Sequence, residues 1–155
     1  MLTLPADLTP AQMRAIDALV HTALTGEKVE WCLWYLAGDD EGWHPVRQDE
    51  PFAHPMYQLG PGYCHVPSYF TGDACWRLVE EMLKSQQQIQ IWLDPAPDWA
   101  RVDGIVIGGP QVWPSVRIGR NSGIGPTYQA AVVACFLDSR GVSQAQVYAM
   151  KEKQP

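Results

Sequence analysis

The stretch Val112–Cys135 constrains this chain more than any other. It opens with an apolar, strand-like run, Val-Trp-Pro-Ser-Val-Arg-Ile, passes Arg117 and Arg120, and crosses Gly123-Ile124-Gly125. Pro126 and Thr127 then open an Ala/Val-rich helix. A glycine turn that delivers backbone N–H groups to a helix N-terminus suits an anion, because unsatisfied donors and the positive end of the helix dipole both point outward. Arg117 and Arg120 add planar, permanently charged donors at the same mouth. The expected ligand-binding set is Trp113, Arg117, Arg120, Asn121, Gly123, Gly125 and Thr127. Gly123-Ile124-Gly125 is only a fragment of a phosphate fingerprint, with no Walker lysine and no complete G-x-G-x-x-G. A connecting turn with two solvated arginines is the competing reading.

Length bounds the answer to one domain over residues 1–155. The net charge of −6 and only 11 Lys+Arg exclude a protein that neutralises many phosphates on DNA or RNA. One small phosphorylated molecule held by two arginines remains compatible with that charge. Seven Trp exceed what one small core takes in, so some are expected to line a pocket or an interface. The four cysteines form no C-x-x-C, and Met1–Asp7 has neither the basic start nor the apolar core of a leader. Free thiols in a reducing cytoplasm are therefore expected, with no membrane partner, since no apolar run approaches spanning length.

Thr9-Pro10-Ala11-Gln12 reads as a capping box with proline at the first helical position, and Gly26 as the stop. Met13, Ile16, Leu19, Val20 and Leu24 give that helix its stripe, and His21 is expected at its surface or against a partner. Trp31–Leu36 reads as a strand, with a helical continuation as the alternative. The five prolines and three histidines from Trp43 to Pro67 read as a long irregular excursion, a lid or an interface arm. His44, His54, Cys64 and His65 match no compact zinc spacing, so no metal is expected. Thr71 or Asp73 caps a second helix to about Ser85, in which Cys75 behaves as a small buried hydrophobe. Gln88–Leu93, Arg101–Ile107 and Gln111–Ile118 read as an antiparallel meander with turns at Pro95–Asp98 and Gly108-Gly109-Pro110. A third helix follows to about Ser139, stopped near Gly141, and Ser143–Met150 is a short strand or helix.

Pro67-Ser68-Tyr69-Phe70-Thr71-Gly72-Asp73-Ala74-Cys75-Trp76-Arg77-Leu78-Val79-Glu80 resembles the signature of the phage ABA sandwich domain family. Arg14–Val20 is similar to the helix that precedes it there, and Gly125–Val132 sits where the family has its closing helix. Gln129 stands where the family carries an arginine, so any anion-binding role would pass to Arg117 or Arg120. The resemblance implies an α+β protein with a three-layer α/β/α sandwich around a central antiparallel sheet, residues 67–141 forming its core after the 1–26 helix. It also implies a phage protein acting in the host cytoplasm.

Two functions follow as expectations. The first is a phage anti-defence protein that sequesters a small anionic nucleotide signal without turnover, needing no cofactor and no catalytic residue. Arg117 and Arg120 would clamp phosphates, Trp113 would stack on a base, and a homo-oligomer would enclose the ligand. The second is an interaction module that blocks a host protein through the Trp/Pro-rich surface from Trp43 to Tyr69. An enzyme ranks third, because no spacing singles out Asp98, Asp103, Cys64 or His65.

Overall fold

Helix α3 (Tyr128–Ser139) is hydrophobic on every side, and Ala130–Leu137 are all buried. A helix with no polar face belongs inside a protein, and the other elements are arranged about this one. The structure, a computed structural model, describes residues 1–36, 39, 41–85, 88–95 and 112–153. In chain order these form β1 (Leu2–Thr3), α1 (Pro10–Thr25), β2 (Val29–Tyr35), β3 (Gly42–Pro45), β4 (His54–Leu59), β5 (Gly62–His65) and α2 (Gly72–Leu83). Then come β6 (Ile89–Pro95), β7 (Val112–Ile118), β8 (Asn121–Ile124), α3 and α4 (Gln144–Lys153). The fold is thus mixed α and β, with four helices and two four-stranded sheets among the described residues.

The first sheet has the order β1-β8-β7-β6, antiparallel except for the parallel pair β1–β8. Val116, Ile118 and Leu2 on one face join α2 and α3 in the main core, with Phe136, Leu137 and Leu78 fully buried. On the opposite face Trp113 and Ile124 form a small cluster of their own. Beside them Ser115 is fully buried, and its hydroxyl has no hydrogen-bond partner among the described residues. Removing an orphaned buried hydroxyl recovers its desolvation cost, so Ser115→Ala is expected to raise stability by about 1 kcal/mol, read from the midpoint of urea unfolding.

The outer edge of β1 is closed by a side chain. The Thr3 N–H donates to Gln144 Oε1 at 2.7 Å, and Gln144 Nε2 donates to the Thr3 carbonyl at 2.7 Å. Meanwhile the Leu4 N–H donates inward to the Ile124 carbonyl at 2.9 Å. The amide at the start of α4 stands in for one more strand.

The second sheet, β3-β2-β4-β5, is antiparallel throughout. It replaces the irregular excursion expected between Trp43 and Pro67. Pro55 fits within it because Trp31, its cross-strand partner, turns its carbonyl to the Val46 N–H instead, leaving the Trp31–Pro55 pair without a bond to lose.

Helix α1 begins and ends as its sequence dictates. Gln12 N–H donates to Thr9 Oγ1 at 3.2 Å, Gln12 Oε1 accepts from the Thr9 N–H at 2.9 Å, and Gly26 closes the helix at φ 75°. His21 departs from expectation: it is buried, its Nδ1 lies 2.9 Å from the Tyr69 hydroxyl and its Nε2 2.7 Å from Glu27. It also stacks on Tyr57 at 4.5 Å, which fixes α1 against the second sheet. The tail resolves to a helix, α4, and Trp31–Tyr35 lie in strand β2, with Leu36 just past its end. The strand expected at Arg101–Ile107 and the turn at Gly108-Gly109-Pro110 lie outside the described residues. No helix among the described residues is long and apolar enough to cross a membrane.

Candidate functional site

The glycine-rich socket expected before α3 is instead a strand and a packing contact. Gly119 (φ 59°) and Arg120 form the two-residue turn between β7 and β8, with glycine at the first turn position, where a hairpin tolerates positive φ. Gly123 lies within β8, paired to Leu2 on one side and Val116 on the other. Its Cα side is pressed on α3, where an added Cβ would meet the Cys135 nitrogen at 2.0 Å. Gly125 abuts Ala130 in the same way, at 2.7 Å, and its N–H donates to the Pro114 carbonyl at 3.2 Å. These glycines let a strand approach a helix; they do not offer amides to a ligand. Thr127 caps α3 by accepting from the Ala130 N–H at 3.1 Å.

The remaining members of the expected set do not converge either. Trp113 is only 6% exposed, so its ring faces protein rather than a base. Arg117 is exposed on the β7 face with its guanidinium 5.7 Å from the Trp92 ring centre, while Arg120 is exposed at the hairpin tip. Asn121 alone reaches a cleft, of about 290 Å³, with Lys84, Ser85, Ser139 and Arg140. That cleft is poorly suited to an anion. Lys84 and Arg140 both bond to Glu81, at 2.5 Å and 3.4 Å, and they cap α2 and α3, whose C-terminal dipole ends are negative.

The side chains that do converge lie on the second sheet. Cross-strand partners share a face, so the register puts Cys32, Trp34, Trp43, His54, Met56 and His65 together. Val29, Trp31, His44, Tyr57 and Cys64 fall on the other side, where α1 packs. Within the first set the rings touch edge to face: Trp34–Trp43 at 5.5 Å, Trp43–His54 at 5.7 Å, Trp43–His65 at 5.0 Å and His54–His65 at 5.5 Å. Trp43 stands on β3, two strands from β4 and three from β5. It spans that distance across Cys32, a small, fully buried residue on the intervening strand. Edge-to-face contact is the favoured geometry for such rings and holds each in place.

The electrostatics of this face are mild. Burial, aided by His65 and Arg14, holds the His54 imidazole below its ordinary range, so it is neutral at neutral pH. At the lower margin Glu30 accepts from the Tyr63 hydroxyl at 2.8 Å and pairs with Lys28; the Tyr63 bond is the larger cause of its lowered pKa. Cys32 is raised by burial, and burial pushes Cys75 and Cys135 up to about 11, so all three thiols stay protonated. His44 and Cys64 project away from His54 and His65, and no group of three metal-capable side chains occurs among the described residues.

What this arrangement can do is bind. It presents rigid aromatic surface, with Trp34 half exposed and His65 exposed at its ends. Its sequence signal was the density of Trp and His from Trp31 to His65; the period-two spacing within β4 and β5 is masked by their prolines and glycines. Comparison with protein-family models, with curated proteins and with solved structures found no match.

Proposed function

We propose that this chain is a non-enzymatic binding protein that engages a partner protein through the aromatic face of its antiparallel sheet. One observation carries the reading: Trp34, Trp43, His54 and His65 form a continuous ring array across four strands, pre-ordered by edge-to-face contacts and open to solvent at Trp34. Indole faces fixed in this way lose little entropy on binding and suit an extended, proline-bearing segment, which is itself stiff. The resemblance of Pro67–Glu80 to the phage ABA sandwich family supports a phage protein that blocks a host protein in the host cytoplasm. A three-layer α/β/α build belongs to the same reading; its support is that helices cover one face of the first sheet while Trp113 and Ser115 are buried on the other.

A second reading, sequestration of a small anionic nucleotide by a homo-oligomer, keeps one support: the exposed Arg117 guanidinium over Trp92. A single titration separates the two. Indole N–H resonances of Trp34 and Trp43 are expected to move on adding proline-rich peptides, and Trp34→Ala to weaken binding about ten-fold or more, roughly 1.4 kcal/mol. If those two resonances stay still while cyclic nucleotides bind and Arg117→Ala abolishes that binding, the first reading is lost and the second stands.

A further inference from the structure

Phe52 is the one residue other than glycine with positive φ among those described, at 65°, and it is 83% exposed. Both facts run against the chemistry of a bulky aromatic, which is disfavoured in the left-handed region and in water alike. Local bonds hold it there: the Glu50 N–H donates to the Arg47 carbonyl at 3.1 Å, and the Ala53 N–H to the Glu50 carbonyl at 3.2 Å. Backbone strain over-determined by its surroundings clusters at ligand clamps and switch regions, where it serves binding. The same loop also walls a groove. About 720 Å³ in volume, it lies between α1 and β2, with Ala18, Leu19, Trp31 and Met150 inside and Arg47 and Asp49 on its rim.

We propose that two copies of this chain pair through this loop, each Phe52 entering the groove of the other. The loop that carries the knob also supplies one wall of the hole, Arg47–Asp49, so a two-fold axis fills both grooves at once, whereas an unrelated partner would fill one and leave the other knob in water. The rim is self-complementary as well. Arg47 donates to Asp49 through Nε at 3.0 Å and Nη2 at 2.6 Å, and both residues are largely exposed. Across the axis Arg47 of one copy meets Asp49 of the other, so pairing exchanges an ion pair without stranding a charge. The groove lies on the α1 side of the sheet, opposite the aromatic array, so this pairing does not depend on the proposed partner-binding face and its failure would leave that reading intact.

The test is the oligomeric state of the purified chain by sedimentation equilibrium, beside Phe52→Gly and Ala18→Arg. The wild-type chain is expected to be a dimer at micromolar concentration. Phe52→Gly removes the knob but also relieves the left-handed strain, so it should raise the melting temperature in dilute solution while weakening dimerisation by about ten-fold or more. A merely structural Phe52 would not move those two readouts in opposite directions. Ala18→Arg, which obstructs the groove, should weaken dimerisation similarly with an unchanged circular dichroism spectrum. A chain that stays monomeric at high micromolar concentration, or a dimer insensitive to either substitution, overturns the proposal. So would binding of a small hydrophobic dye in the groove with no change in mass.

Discussion

Gly123→Ala is expected to abolish cooperative folding. A Cβ at this position would lie 2.0 Å from the Cys135 nitrogen, 2.4 Å from the Ala131 oxygen and 2.6 Å from the Ala134 carbonyl carbon. All three are backbone atoms of α3, so no side chain can swing aside. Nor can the helix retreat: Ala130–Leu137 are buried on all sides, packed against α1, α2, β1 and β7. A close-packed interior transmits such a displacement instead of absorbing it. The expected loss exceeds about 4 kcal/mol, a large part of the roughly 5–15 kcal/mol that a domain has available. The control is Gly62→Ala, where nothing lies within 4 Å and φ is ordinary; it should shift stability by no more than about 0.5 kcal/mol. Urea unfolding followed by circular dichroism reads both. A Gly123→Ala protein as stable as the wild type would mean that β8 and α3 are not in this contact.

The second large effect is a pH dependence carried by Asp17. This carboxylate lies on the buried side of α1 and accepts from the Tyr69 N–H at 2.8 Å, tying the approach of α2 to the first helix. Burial raises its pKa from 3.8 to about 7, against the lowering effects of the Tyr69 N–H, the Ser68 hydroxyl and Arg14. The folded protein therefore holds this proton over a range in which the unfolded chain has lost it. The contribution of Asp17 to stability is complete below the unfolded value of 3.8 and is lost as pH rises to about 7. Over that window the fold should weaken by on the order of 4 kcal/mol from this group alone. Asp17→Asn keeps a carbonyl acceptor for Tyr69 and removes the charge. Its melting temperature should be nearly flat from about pH 4 to pH 8, and above pH 7 it should exceed that of the wild type. An unchanged slope would assign the pH dependence to other groups.

These two residues also mark how far the sequence is legible. Capping and helix termination are local, so Thr9, Pro10, Gln12 and Gly26 define α1 without knowledge of anything beyond it. The buried stripe of α2 and the inert Cys75 follow from the same periodicity. Gly123 is different. A glycine near a helix start reads alike whether it lends an N–H to a ligand or gives up its side chain to a neighbour, and α3 decides the matter from eight to twelve residues away, through Ala131, Ala134 and Cys135. The neighbouring strand is no easier to read: Trp113 and Arg117 share one face of β7, yet one is buried and the other exposed, because what covers a strand face is set by topology, not by the strand. His21 was misplaced for a similar reason, because the hydroxyl it meets arrives from Tyr69, 48 residues on. Prolines hid the second sheet. Pro51 and Pro61 occupy turns and Pro45 ends an edge strand, positions that a strand tolerates, yet in sequence their density mimics irregular chain.

The Gln144 amide on Thr3 has a consequence for assembly. It gives the first sheet a direction: at β1 the next rung of the ladder is already taken, whereas β6 is an outer strand among the described residues and exposes Ile91, Trp92 and Leu93. Among the described strands, lateral growth of that sheet by a foreign strand, productive or pathological, is thereby directed away from β1 and toward β6.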